Sequence, residues 1–336
     1  MTLTEPPQTE PTVEPGKRRS LWKIAIVGTL AVAVALVFAA VAFLLWTNSR
    51  IDRLDAEALP SLATAAGEKR TILVVGTDDR SSIPDDFDDV FGAFEGSRTD
   101  TIILVNLTPG VGAQMLSLPR DLKVDIPGEG TNRINAAFVF GGPELLISTI
   151  NSNLALEVNH YVEIDLAGFA RLVDAIGGVS FLFEHAARDA KSGLDVPAGV
   201  QRLTGEQALA YVRSRQYQEL RNGTWETVGG NDIGRTRRQQ QMLLTLFDEV
   251  ASKRNAFNLP SFASTFADEV TVDAGMGLGV IVDLGRAALD LSTADIDTQT
   301  LPVVDFRGQD GRAYVVPADG ADMYLASFRS GEAFPD

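Results

Sequence analysis

The sequence contains no cysteine, which excludes disulfides, thiolate zinc sites and cysteine nucleophiles. It has only two histidines, His160 and His185, too few for a histidine metal cluster. No nucleophile-elbow pattern places a serine for either of them, so a Ser-His-Asp triad is excluded. His160 opens an apolar run and reads as a hydrogen-bonded core residue. Positive charge is also scarce. Lys and Arg number 29 against 45 Asp and Glu, leaving −16 over 336 residues. That excludes nucleic acid as the partner, because a phosphate backbone needs a basic footprint. There is no Walker A pattern, no strand-linked dinucleotide fingerprint and no internal repeat.

One long run lacks charge of either sign. Ile24 to Trp46 contains no Asp, Glu, Lys or Arg. At roughly 1.5 Å per residue such a helix spans the hydrocarbon core with some tilt. Trp22 and Trp46 mark its two ends as interface aromatics. Lys17, Arg18, Arg19 and Lys23 precede it. The positive-inside rule therefore places the N-terminus in the cytoplasm and the chain after Asn48 outside. A cleaved signal peptide has a shorter apolar stretch, about 7–15 residues, although Ala39–Ala42 supplies small residues of the kind found at a cleavage site. A buried core helix would show a polar face, which this run lacks.

Apolar residues make up 45% of the chain, enough for a sizeable core. The expected organisation is a disordered cytoplasmic tail with a basic flank over 1–23 and a transmembrane helix over 24–46. A stalk follows over 47–70, then an external domain over 71–336, with a core at 71–253 and a C-terminal extension at 254–336. Within that domain the apolar runs Thr71–Gly76, Thr101–Leu107 and Ala113–Leu118 predict buried strands. His160–Ile164, Val179–Phe183, Thr298–Val303 and Ala313–Val316 predict further strands. Helices are expected at Pro143–Leu154, at Leu166–Ile176, at about Gly234–Ser252, at Pro260–Ala267 and at Gly277–Leu291. The Thr204/Gln207 capping box opens another, ending near Tyr211. Ser81–Gly96 and Gln216–Asn231 read as loops. Strands alternating with helices define the fold class as α/β, a layered α/β/α domain with a central mixed sheet.

Five short segments place acids and arginines beside element ends. They are Gly76-Thr77-Asp78-Asp79-Arg80, Gly96-Ser97-Arg98-Thr99-Asp100, Ser117-Leu118-Pro119-Arg120-Asp121 and Asn132-Arg133-Ile134-Asn135-Ala136. The fifth pairs Arg213-Ser214-Arg215 with Asp232-Ile233-Gly234-Arg235-Thr236-Arg237-Arg238-Gln239-Gln240. Arg235 and Gln239 share a face in a helix's first turn, with Arg238 nearby. Arg213 and Arg215 share one only in extended backbone. A helix N-terminus with several guanidiniums makes an anion site suited to phosphate oxygens. Asp78 and Asp100 flank two strands that can be neighbours. Two carboxylates facing one space need a cation or proton between them. Mg²⁺ fits, since it takes one or two carboxylates together with substrate phosphates. Against this stand the ordinary roles: arginines solvated or paired with the many acids, and Asp78 or Asp79 capping a turn.

In their order these segments resemble the LytR–CpsA–Psr family of bacterial cell-wall ligases, over about Thr71 to Val250. Tyr161–Phe169, Leu172–Val179 and Leu203–Arg215 match family text as well. The resemblance implies an external α/β/α domain with an apolar cleft for a polyprenyl chain. It implies that Asp78 and Asp100 bind Mg²⁺, and that Arg120, Arg213, Arg215, Arg235 and Gln239 hold a pyrophosphate. Arg80, Arg98 and Arg238 stand in matching motifs. Arg133 stands where the family usually has lysine, so the charge is kept but the geometry differs. The implied activity is phosphotransfer of a polyprenyl-pyrophosphate-linked glycopolymer onto a peptidoglycan hydroxyl, with Asp100, Arg120 and Asp78 at the centre. The polymer stays open among teichoic acid, capsule and arabinogalactan. The other readings are a polyprenyl-pyrophosphate hydrolase using the same residues and a non-catalytic lipid or wall receptor.

Overall fold

The computed structural model describes residues 42–65, 67–78, 99–229, 232–252, 259–289 and 291–335. It divides at Trp46/Thr47. Of the first unit only 42–46 is described, and it is helical. Among the described residues no helix is long and apolar enough to cross a membrane. Residues 24–41 of the predicted span lie outside them, as do residues 1–23, the Ser81–Gly96 loop, Asp79, Arg80 and Arg98.

The second unit is built on a seven-stranded mixed sheet. Its members are β1 (Asp52–Leu54), β2 (Arg70–Thr77), β3 (Thr99–Thr108), β4 (Gly112–Ser117), β7 (His160–Asp165), β14 (Val270–Asp273) and β15 (Ile296–Thr300), while β5 (Lys123–Ile126) pairs with β6 (Gly130–Arg133) and β8 (Val179–Phe183) with β11 (Gly199–Leu203) outside it. Their spatial order is β1-β14-β7-β2-β3-β4-β15. β2 and β7 are parallel, as are β4 and β15, while β3 runs antiparallel between β2 and β4. The carboxyl ends of β2, β7, β4 and β15 therefore share one edge, where open α/β sheets bind ligands.

Alternation along β2 sets the layers. Leu73 and Val75 are fully buried on one face, in a core with Ile134, Leu146, Ile147 and Ile150 of helix α1 (Ile134–Leu154) and Phe328 of the C-terminal helix (Ala321–Ser330). On the other face Ile72, Val162 and Ile164 are only half-buried, against helices at Leu166–Ala175 (α2), Leu259–Glu269 and Leu278–Leu289. Val74 beside them is also half-buried. A central strand apolar on both faces, but closed on only one, leaves a greasy stripe under those helices.

α3 (Gly205–Arg213) opens with the predicted capping box: Thr204 Oγ1 accepts from Gln207 N, and Gln207 Oε1 from Thr204 N. It packs on α2 so closely that a Cβ at Gly205 would lie 2.1 Å from Ala170 O. Four expectations need correction. α3 runs through Arg213 rather than ending near Tyr211, because Leu209 to Val212 all remain buried. Gln216–Asn231 contains a hairpin, β12 (Gln218–Arg221) and β13 (Thr224–Thr227). It joins β9 (Ala187–Asp189) and β10 (Leu194–Val196) in a four-stranded sheet, order β10-β9-β12-β13. The stalk at 47–70 belongs to the fold, since β1 pairs with β14 and Leu59 is in the main core. The 254–336 extension cannot be separated from a 71–253 core, because it supplies β14 and β15 of the central sheet.

Candidate functional site

β2 and β3 set the first part of the site. Gly76 pairs with Thr101 but Thr77 pairs with Thr99, so Asp100 is the extra residue of a β-bulge. Such a bulge re-aims a side chain at the end of a ladder. Gly76 permits it: a Cβ there would meet Thr101 Cβ at 2.9 Å. Asp78 follows Thr77 directly, so Asp78 and Asp100 occupy the same end of adjacent strands.

Three distant segments bring guanidiniums to Asp100. Arg120, in the turn after β4, donates through Nη1 to Oδ1. Arg215 Nη2 and Arg235 Nη1 each donate to Oδ2 at 3.1 Å. Arg235 lies in the first turn of α4 (Asp232–Ser252), with its side chain only 3% exposed, while that of Arg215 is 47% exposed. Burial pushes the Asp100 carboxyl up, but Arg235, Arg120 and Arg215 outweigh it and hold the group below its ordinary value of 3.8. Asp100 is therefore ionised at neutral pH.

The network extends one step further. Asp121 lies 3.6 Å from Arg120 Nε and 3.1 Å from Arg133 Nη1. Arg133, the residue before α1, also donates through Nε and Nη2 to Ala313 O at 3.1 and 2.8 Å. Arg213 ends α3 two residues before Arg215, and Gln239 is half-buried one helical turn after Arg235. Arg238 is 5% exposed and is engaged elsewhere. Its guanidinium donates to Ser214 O and Gly229 O and lies 4.8 Å over the Tyr217 ring. Arg237, with Gln240, Gln241 and Leu244 of α4, lines a cleft of about 490 Å³ against β15. His160 is a core residue, with Nδ1 3.2 Å from Asp273 Oδ2.

Two oxygen-donor carboxylates at one strand end suit a hard cation such as Mg²⁺, which usually takes one or two protein carboxylates. Among the described residues no group of three or more His, Asp or Glu side chains is placed to hold a metal ion, and both Asp100 oxygens accept from guanidiniums. Asp121, Asp189, Ser214 and Tyr217 carry no mark of a role in the sequence. Asn222-Gly223 was the one available signal. Its φ values of 50 and 81° suit a two-residue hairpin turn, and Asn-Gly is the strongest short hairpin cue.

Fold and site together define a three-layered α/β protein with arginines gathered on Asp100 beyond the carboxyl ends of its central strands. The model of the LytR_cpsA_psr family matches residues 47–328. The chain belongs to the LytR–CpsA–Psr family. It is 33% identical over 311 residues to "Probable cell wall biosynthesis protein LcpB" of Corynebacterium glutamicum, covering 90% of this chain and 70% of that protein. It is 32% identical to the polyisoprenyl-teichoic acid–peptidoglycan teichoic acid transferase TagU of Enterococcus faecalis, covering 60% of this chain and 62% of the relative. Among solved structures, a LytR-Csp2A-Psr enzyme from Actinomyces oris superposes with a TM-score of 0.65 at 28% identity, over 83% of this chain and 95% of that one. TagT bound to LIIa-WTA shares the fold, with a TM-score of 0.58 at 22% identity, over 79% and 89% of the two chains.

Proposed function

We propose that this chain is a phosphotransferase that moves a glycopolymer from polyprenyl pyrophosphate to a hydroxyl of peptidoglycan, forming a phosphodiester. The observation that carries this reading is the convergence of Arg120, Arg215 and Arg235 on one ionised carboxylate at the sheet edge. A set of forks that grips a carboxylate can grip the oxygens of a diphosphate. Arg213 and Gln239 flank the cluster and complete the diphosphate contacts. Arg133, through Asp121, and Arg238, through the carbonyl of Ser214, brace it from neighbouring elements. The half-covered apolar face of β2 and β7 accepts the prenyl chain.

In the reaction the acceptor oxygen attacks the phosphorus bearing the glycopolymer. The bond from that phosphorus to the bridging oxygen breaks, and polyprenyl phosphate leaves with the electron pair. Asp100 accepts a hydrogen bond from the acceptor hydroxyl and orients it, and the proton passes to water, because the guanidiniums hold the Asp100 carboxyl below its ordinary value. Such a transition state needs positioning and charge neutralisation more than a strong base or covalent nucleophile. A chain without cysteine and nearly without histidine can meet that need. Asp78 and Asp100 would hold Mg²⁺, which when bound neutralises charge on the diphosphate oxygens. Ile24–Trp46 anchors the chain in the cell membrane as a single span, N-terminus inside and the site outside.

The test supplies full-length protein in detergent with lipid-linked glycopolymer and Mg²⁺, with and without peptidoglycan. Polymer bound covalently to the wall and dependent on the added acceptor is the expected product. Release of free polymer phosphate at the same rate with or without acceptor would instead identify a hydrolase. Lipid binding with no turnover would identify a receptor.

A further inference from the structure

The turn that presents Arg215 is gripped from both sides by residues that do not reach Asp100. Asp189 ends β9 and is 2% exposed. Its Oδ2 accepts from Ser214 Oγ at 2.7 Å, from Gln216 N at 2.8 Å and from Arg215 N at 3.0 Å. Its Oδ1 accepts from Lys191 N at 2.9 Å. From the other side Arg238 donates to Ser214 O and to Gly229 O, under cover of the Tyr217 ring. Ser214 is fully buried between them. Its hydroxyl and the next two amides are thus fixed by the acid, and its carbonyl by the base.

A buried carboxylate is costly unless its lone pairs are filled. Here the donors that fill them all come from Lys191 and from the one turn of interest. Burial pushes the Asp189 carboxyl up, yet the Ser214 hydroxyl and the amides of Gln216, Lys191 and Arg215 outweigh it and hold it below its ordinary value. The charge is therefore retained where the turn needs it. Arg238 is likewise a poor candidate for direct contact with a diphosphate, being 5% exposed with its guanidinium on two main-chain carbonyls.

We propose that Asp189, opposed by Arg238, is a positioning residue that sets the Ser214–Gln216 turn and so aims Arg215 at the transferred diphosphate. The proposal rests on the reading of Arg215 as a phosphate ligand. Displacing a binding group by about 1 Å can cost roughly 100-fold in rate, so the effect is measurable without any contact to substrate.

The experiment is a double-mutant cycle in the full-length protein: Asp189→Ala, Arg215→Ala and the pair. It reads transfer rate and affinity for geranylgeranyl pyrophosphate as probe, with thermal unfolding followed in parallel. Asp189→Ala is expected to lower both by about 10- to 100-fold, and by no more than about threefold when Arg215 is already alanine. Asp189→Asn keeps one oxygen for the turn and should recover most of the loss. Ser214→Ala, which removes the hydroxyl that Asp189 holds, replaces Asp189→Ala in the cycle if the alanine variant does not fold, and its loss must likewise vanish when Arg215 is alanine. An equal loss with and without Arg215 would overturn the positioning role, as would wild-type behaviour of Asp189→Ala beside a crippled Arg215→Ala. Wild-type behaviour of Arg215→Ala would overturn the phosphate-site reading itself, and this proposal with it.

Discussion

Replacing Arg235 by alanine separates the chemistry of the site from the stability of the fold. Its side chain is 3% exposed and donates to Asp100 Oδ2 at 3.1 Å. Removing one partner of a fully buried pair typically costs about 3–5 kcal/mol. Asp100, however, is 29% exposed and keeps Arg120 and Arg215, so the loss in stability should be about 1–2 kcal/mol. A domain with about 5–15 kcal/mol of stability survives that at 25 °C. Transfer should suffer more. A preorganised donor aimed at developing phosphoryl charge is worth about 3–4 kcal/mol, or roughly 100- to 1,000-fold in rate.

The assay is initial rate of polymer attachment at saturating peptidoglycan, beside urea unfolding of the same preparation. Arg235→Lys keeps the charge without the fork and should fall between wild type and alanine. The stability difference also depends on pH. Asp100 is held below 3.8 in the folded chain, so its ion pairs contribute fully above that value and are lost as pH falls below it. The gap between wild type and Arg235→Ala should therefore be present at pH 7 and close below about pH 3.8. Transfer within about threefold of wild type by a folded Arg235→Ala protein would refute the reasoning.

Asp100→Asn removes the single carboxylate that three guanidiniums share. It should lower thermal stability at low salt, by about 1 kcal/mol, and added phosphate should restore it. Scanning fluorimetry with and without phosphate checks this, and no recovery counts against a shared anion site. Gly76→Val should push β2 from β3 at the bulge, given a Cβ contact of 2.9 Å with Thr101, for a loss of about 1–3 kcal/mol in urea unfolding. An unchanged urea midpoint would show that the close approach is not required. Chelating Mg²⁺ should stop transfer while leaving the unfolding transition near its original place, and added Mg²⁺ should restore it. Full activity in excess chelator would remove the cation from the account.

The central strands were legible because continuous apolar runs such as Thr71–Gly76 have few other uses. α3 was legible from the Thr204/Gln207 box, which forms with both bonds. The members of the cluster were legible as residue types next to element ends, and Asp100, Arg120, Arg215 and Arg235 do come together. What stayed hidden depends on partners far along the chain. β1 is three residues whose only strand signal is its pairing with β14, more than 200 positions away. β9 and β10 are equally short. Asp189 looks like any surface acid until the turn at Ser214 folds over it. The Asp100 bulge is a matter of register, which alternation alone does not fix at a strand end. Arg238 and Arg237 share a helix with Arg235, but they face a buried turn and a separate cleft.

Mass spectrometry of the lipid that co-purifies with the full-length chain is the most direct single measurement. Wild type should carry a polyprenyl pyrophosphate, and an Arg120/Arg215/Arg235 triple alanine variant of equal stability should not. Retention of the same lipid by the triple variant, or a wild-type lipid without a diphosphate, would contradict the assignment of those three side chains.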